Sequence, residues 1–467
     1  MRYIADLHIH SKYSRATSKD LDLPNIEKWC KIKGIDIVAT GDFTHPSWFK
    51  DISEQLEPAE DGLYKLREKC KGTKFCAPTN QNWYDAKRPA RFLLSTEISL
   101  IYKKNDKCRR LHILIFAPSI EVVKKINNHL DKIGNIKSDG RPILGLDAKE
   151  LAKIVLDKSE KCMVIPAHAW TPWFAVFGSK SGFDSLEECF GNMTKHIYAI
   201  ETGLSSDPPM NWQLSALDDI TLISNSDAHS PANLAREANI FEFSSLSYNE
   251  IYNTLKNKDK TKFLKTIEFF PEEGKYHFDG HRECDIRCAP EQTKKNKGIC
   301  PVCKKPLTVG VSYRVNSLAT ANRSTPCEKK NRETVAVSSP LCEGGQSASA
   351  CRRRDEGDSS SNNIPFISLV GLAKIIAEVK GVKGINSKTV QTEYKNIIKI
   401  FGTELEILMD IPYEIFSNKK MDKDIIQGIK NVRERKLNID PGYDGVYGKI
   451  KIFKDTKLKN NKQVSLL

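Results

Sequence analysis

Seven short apolar runs in the first 270 residues are each followed, or entered, by a side chain able to bind a metal ion. This placement constrains the fold more than any other feature. The runs read as strands at 2–5, 35–40, 92–96, 111–116, 163–166, 197–200 and 221–224. Polar-faced segments with helical spacing, such as 25–33 and 147–157, lie between them. The alternation predicts an α/β fold, and seven strands in βα order point to a barrel more than to an open sheet.

His8 and His10 follow the first run two residues apart, so in extended chain both imidazoles face one side. Asp42 follows the second run and Glu97 closes the third; His112 enters the fourth and His168 closes the fifth. Glu201 closes the sixth, and Asp227 and His229 follow the seventh, again two apart. A β/α barrel gathers its functional side chains at strand C-terminal ends. Any single histidine here is more readily a structural residue, but two such pairs with strand-end partners read as a metal centre. Neutral imidazole with carboxylate suits Zn, Mn or Fe, and eight ligands (His8, His10, Asp42, Glu97, His112, His168, Asp227, His229) exceed the needs of one ion. Zn2+, Mg2+ or Mn2+ is expected there, with Asp42, Glu97, Asp227 and His229 closest to the chemistry. Ions ~3.5–4 Å apart generate a nucleophile near neutral pH and neutralise phosphoryl charge. His45 and Glu201 are assigned to support behind the ligands.

Thirteen cysteines include one cluster, Cys284, Cys288, Cys300 and Cys303, with the count and spacing of a structural zinc ribbon. Cys288 is the weakest of the four, and His281 is the alternative for its place. The segment 321–363 is rich in Ser, Glu, Arg and Gly with little apolar periodicity, so it reads as a disordered insertion. Helical spacing returns at 369–378, 390–401 and 425–433, followed by a Gly-rich turn at 441–449 and a short strand at 450–453. The expected domains are 1–270 (the α/β barrel), 271–320 (zinc module), 364–456 (helical) and a basic tail at 457–467. No run approaches the ~20 apolar residues that span a bilayer, and MRYIADLHIH does not read as a signal peptide, so a cytoplasmic protein is expected. Net charge is +14, from 73 Lys and Arg against 59 Asp and Glu, which suits a polyanionic partner.

The motifs ADLHIHSKYS, ATGDFTHP, STEIS, LHILIFAP, IPAHAW and SNSDAHS resemble those of the polymerase-and-histidinol-phosphatase (PHP) superfamily. That resemblance implies a distorted (β/α)7 barrel and a trinuclear metal site. It implies that His8, His10, Glu97 and Asp227 hold one ion, that Glu97 bridges to a second held by His112 and His168, and that Asp42 and His229 contribute to a third. Two departures stand out: Arg15 where many members carry Asp, and Asp42 in place of a histidine. The segment 280–315, with ETGLSSDPPMNW and PGYDGVYG, resembles the endonuclease Q family more narrowly. That family nicks DNA on the 5′ side of deaminated bases (uracil, hypoxanthine, xanthine) and abasic sites. Damaged DNA is then the expected partner, alongside other replication or repair proteins. A lesion reader must lift the base from its stack into a pocket, for which Trp83, Tyr84, Trp170, Trp173 and Trp212 are the aromatic candidates. The rival readings are a small-molecule PHP phosphatase, which leaves the cysteine cluster and basic charge unexplained, and a DNA-lesion-binding protein without catalysis.

Overall fold

The structure is a computed structural model that describes residues 1–70, 89–322 and 363–453. Tyr84, Trp83, nearly all of 321–363 and the basic tail lie outside the described residues.

The fold is mixed α/β. Arg2–Asp6 pairs in parallel with Ile37–Ala39, which pairs in parallel with Arg91–Leu93. On its other side Arg2–Asp6 pairs antiparallel with Ala238–Glu242, and Phe263–Glu268 and Phe366–Ser368 continue that edge of an eight-stranded sheet. A four-stranded sheet is built on the long antiparallel pair Ser95–Lys104 and Lys107–Phe116, flanked by Ile143–Leu144 and Met163–Pro166. Ala199–Glu201 and Thr221–Ile223 form a parallel pair. The strands expected in one ring therefore lie in three separate hydrogen-bonded sheets among the described residues.

All seven expected strand positions carry strand, but the third and fourth differ in kind. The alternation around Glu97 and His112 extends into a hairpin of 95–116 whose far half is polar and exposed, so apolar content alone marked only its base. Ala238–Glu242 and Phe263–Glu268 went unread because their apolar residues alternate only over short stretches.

Helix Leu23–Lys33 starts at Asp22, whose carboxylate accepts from Asn25 N at 2.9 Å, and ends at Gly34 in the left-handed region (φ 92°). Helix Ala148–Lys158 is capped in the same way by Asp147. The C-terminal helices are Leu372–Val379, Lys388–Phe401, Glu404–Met409, Tyr413–Asn418 and Lys423–Arg433. Buried Glu404 ties them to the α/β region: it accepts from Leu372 N at 2.9 Å and Tyr394 Oη at 2.6 Å, and Lys33 Nζ lies 2.5 Å away. The cysteine segment forms a small hairpin, Asp279–His281 against Ile286–Cys288, clasped by the loop around Gly442 through Phe278 N to Gly442 O at 3.0 Å. No helix among the described residues is long and apolar enough to cross a membrane.

Candidate metal centre

Backbone pairing brings the two histidine-containing loops together. Residue Ile9 bridges to Ala228, His10 N donates to Ala228 O at 3.1 Å, and Leu7 N donates to Asn225 Oδ1 at 2.9 Å. The HxH segment is thereby zipped onto the segment that carries Asp227. From the other side, Ala167 N donates to His112 O at 3.0 Å, which sets His168 beside His112. Asp42, His168 and Asp227 all adopt positive φ (48°, 30° and 46°), a conformation costly for non-glycine residues and concentrated at functional sites. Gly203 (φ 60°) clears the space behind His168: a Cβ there would lie 2.5 Å from the His168 Cβ.

Two groups of ligand-capable atoms result, one of His8, His10 and Asp227 and one of Glu97, His112 and His168. Glu97 spans them. Its Oε1 lies 2.8 Å from His112 Nδ1 and 3.2 Å from His168 Nε2, and its Oε2 lies 3.3 Å from His10 Nε2 and 3.7 Å from His8 Nε2. Asp227 Oδ1 lies 3.1 Å from His10 Nε2 and 3.6 Å from His8 Nε2. Ligands ~2.0–2.2 Å from a shared ion in tetrahedral geometry stand about 3.3–3.6 Å apart; the His10 Nε2–Glu97 and His8 Nε2–Asp227 separations fall in that range, and all but His112–Glu97 lie close to it. The donor set therefore fits divalent ions. His8 Nε2 strengthens the fit, being a buried ring nitrogen without a hydrogen-bond partner.

Carboxylates hold the imidazoles from behind. Glu201 accepts from His8 Nδ1 at 3.0 Å, and from His168 N at 2.7 Å and Asn225 Nδ2 at 2.9 Å. Because a carboxylate only accepts, Nδ1 of His8 carries a proton, and Nε2 is the nitrogen left facing the centre, free to ligate once it gives up its own proton. Asp42 does the same for His10, with Oδ1 3.1 Å from Nδ1.

The electrostatics carry the same sense. Burial pulls the His8 and His10 pKa values down, but Glu201, Asp227 and Glu97 around His8, and Asp42 and Asp227 around His10, hold both well above the usual histidine range. The cluster is built to receive positive charge. His112 goes the other way: burial outweighs Glu97 and lowers it to about 4. Burial opposes ionisation of Glu97, yet His112, Arg141 and His8 hold its carboxyl well below the usual range.

Other expected site residues fall outside these two groups. Asp42 is not placed among the ligand atoms, since its Oδ2 accepts from Ser11 N, Ser11 Oγ and Ser14 Oγ at 2.7–2.8 Å and its Oδ1 faces His10. His229 stands at the rim with its ring against His10 at 4.7 Å and its Nδ1 2.9 Å from Asp227 O. No third ligand group forms from Asp42 and His229 among the described residues. His45 stacks on Tyr13 at 4.5 Å, outside the centre. Arg141 went unread, because a lone arginine in a polar loop carries no spacing signal; its guanidinium lies 3.1 Å from Glu97 Oε2.

The cysteine cluster differs by one residue from the expected set. His281, Cys284, Cys300 and Cys303 converge, with Cys303 Sγ 3.9 Å from His281. Cys288 pairs with Asp279, two residues farther from the hairpin tip than His281, and its sulfur faces Asn296 instead. Burial opposes the Cys300 thiolate, yet the backbone N–H groups of Cys303 and Val302 lower its pKa, as a metal-binding knuckle requires.

Of the aromatic candidates, Trp170 is core: 1 % exposed, with its Nε1 donating to Asn211 at 2.7 Å. Trp212 packs against Phe366. Trp173 is exposed, meets Tyr276 edge-on at 5.5 Å, and lines a cavity of about 510 Å3 together with residues of the cysteine module and the 444–445 loop.

Solved structures resemble the chain over its whole length. The lesion-specific endonuclease PfuEndoQ from Pyrococcus furiosus matches with a TM-score of 0.75 and 28 % identity, covering 100 % of both chains. An endonuclease Q in complex with a 27-mer duplex substrate carrying an abasic lesion at the active site matches with a TM-score of 0.74 and 29 % identity, again covering 100 % of both. The chain is similar along its full length to endonuclease Q structures. Residues 371–436 match the MJ0043 C-terminal domain family. The uncharacterized protein YqxK of Bacillus subtilis is 27 % identical over 96 % of this chain and 98 % of its own length. The uncharacterized protein MJ0043 of Methanocaldococcus jannaschii is 29 % identical over 62 % of this chain, and the match spans only 32 % of that relative.

Proposed function

We propose that this chain belongs to the endonuclease Q family and is a metal-dependent DNA repair endonuclease that hydrolyses the phosphodiester 5′ of deaminated bases or abasic sites. The observation that carries the reading is Glu97 spanning two imidazole–carboxylate groups, in a chain that overlays lesion-specific endonucleases from end to end. On this reading His8, His10, Asp227 and Glu97 would hold one ion, and Glu97, His112 and His168 would hold a second. Divalent ions held there would supply Lewis acidity, neutralising phosphoryl charge and lowering the pKa of water. The chain's own groups do the rest. Glu201 and Asp42 fix the two imidazoles, and Arg141 offers a guanidinium to a non-bridging phosphate oxygen beside Glu97. His229, with its side chain 32 % exposed and its pKa lowered chiefly by burial, is neutral at pH 7 and stands where a proton can pass to solvent.

The finer architecture belongs to the same proposal: a distorted (β/α)7 barrel over 1–270, a structural zinc at His281, Cys284, Cys300 and Cys303, and a helical domain from 364. The Trp173–Tyr276 cavity is the candidate seat of the extruded base, since aromatic faces can stack any base. A panel of single-lesion duplexes assayed with Zn, Mn and Mg tests the reading. Wild type nicks immediately 5′ of the lesion, and Asp227→Ala falls by about 10³-fold or more with an unchanged melting temperature. Full activity of Asp227→Ala, or release of inorganic phosphate in place of a nick, contradicts it.

A further inference from the structure

The 95–116 hairpin carries two kinds of chemistry along its length. Its base supplies Glu97 and His112, while its tip carries Lys103, Lys104, Lys107, Arg109 and Arg110 against a single acid, Asp106. The loop 174–184 runs beside the hairpin, through His112 N to Phe174 O at 3.0 Å and Arg110 N to Ser181 O at 3.3 Å. Between tip and loop lies a second cavity of about 610 Å3, lined by Lys107, Arg109, Ser179, Lys180 and Arg314 among others.

Two observations separate this cavity from an ordinary solvated patch. Its acids are already engaged: Glu188 is 2.9 Å from Arg109 and Asp184 is 2.6 Å from Arg314. Arg314 and Ser181 are also hydrogen-bonded, but four of its donors are left over. Arg109 is 4 % exposed, with its guanidinium stacked on Phe183 at 4.0 Å, and its Nε–H has no acceptor. Ser179 Oγ is buried without a partner, and Lys107 and Lys180 are exposed with no ion pair among the described residues. Buried donors lacking acceptors are costly unless an acceptor arrives.

We infer that this cavity binds backbone phosphate of the DNA substrate, at a fixed distance from the centre that cuts it. The inference rests on the reading of the chain as a lesion endonuclease. No aromatic side chain lines the cavity, so it is fitted to phosphate and not to a base. Lys180 borders both this cavity and the Trp173–Tyr276 cavity, so one strand can run through both. The five residue-to-residue steps from Lys107 to His112 span about 17 Å of strand, or about five nucleotides of duplex at 3.4 Å each. The hairpin thus acts as a spacer between grip and cut.

The test uses the full chain in the Asp227→Ala background, which prevents nicking, and a labelled abasic duplex trimmed one nucleotide at a time on either flank. Adding Lys107→Ala with Lys180→Ala should weaken binding of the untrimmed duplex roughly tenfold, and lower the slope of log affinity against log salt by about one per lysine. Lys107→Glu, which leaves the first cavity untouched, should give a loss in the same direction. Both penalties should vanish once one flank is cut to fewer than about five nucleotides. Unchanged affinity and slope, or a penalty independent of flank length, overturns the inference. So does displacement of free pyrophosphate alone, which would make the cavity a small-anion site. Nicking by the wild-type chain is scored separately: its failure alongside intact flank-dependent binding sinks the endonuclease reading and leaves this site standing.

Discussion

The imidazole–carboxylate centre draws its groups from residues 8 to 227, whereas the cysteine–histidine cluster draws all four from residues 281 to 303. The first is framed by core and by a buried polar network in which Glu201 alone accepts from His8, His168 N and Asn225. The second has a core of Cys288, Cys300 and Leu307 and little else. Where the fold already holds the ligands, an ion can serve chemistry. Where the ligands are local and the core is minimal, an ion must serve folding.

The largest effect expected from this contrast follows metal removal. A strong chelator should strip hydrogen-exchange protection from 279–310 while leaving protection of Arg2–Asp6 and Ala238–Glu242 intact, since structural zinc supplies about 10–16 kcal/mol in comparable small modules. His281→Ala and Cys300→Ser should reproduce that loss without chelator, and Cys288→Ser should not. Equal loss in both regions would dissolve the distinction.

Next in size are the carboxylates behind the imidazoles. Glu201→Gln and Asp42→Asn should each weaken divalent-metal affinity by about 10–100-fold, measured by titration calorimetry, without removing a binding site. Disappearance of one ion from the stoichiometry in Asp42→Asn would make Asp42 a ligand after all.

The smallest effect concerns the floor beneath the centre. Burial raises the Glu268 carboxyl from 4.5 to about 8, and Thr202 Oγ1 donates to it at 3.0 Å beside Glu201. The folded chain holds this proton more tightly than the unfolded chain. The resulting stabilisation is full below about pH 4.5 and is lost as pH rises through about 8. Glu268→Gln keeps a neutral group there, so melting temperature measured from pH 5 to 9 should decline less than in wild type. An identical pH profile would show that Glu268 is ionised in the folded chain.

The ligand pairs could be read from the sequence because strand periodicity fixes which way His8 and His10 point, and spacing alone marks Asp227 and His229 as neighbours. What spacing could not show was how each carboxylate is spent. Asp42 looks like a ligand until Ser11 and Ser14 are seen to fill its second oxygen. Likewise Cys288 fits a ribbon by count, but hairpin register sets His281 in its place. Arg141 reaches Glu97 across a loop whose path depends on tertiary packing, which no local pattern records. Thr403 and Glu406 form a capping box that announced helix Glu404–Met409, a local signal present in the sequence and overlooked.

At the proposed centre, Glu97 would serve two ions at once. Anomalous scattering from crystals soaked in manganese measures this directly. Two peaks are predicted, one among His8, His10 and Asp227 and one between His112 and His168, each within bonding distance of a different Glu97 oxygen. A single peak, or peaks away from Glu97, would contradict it.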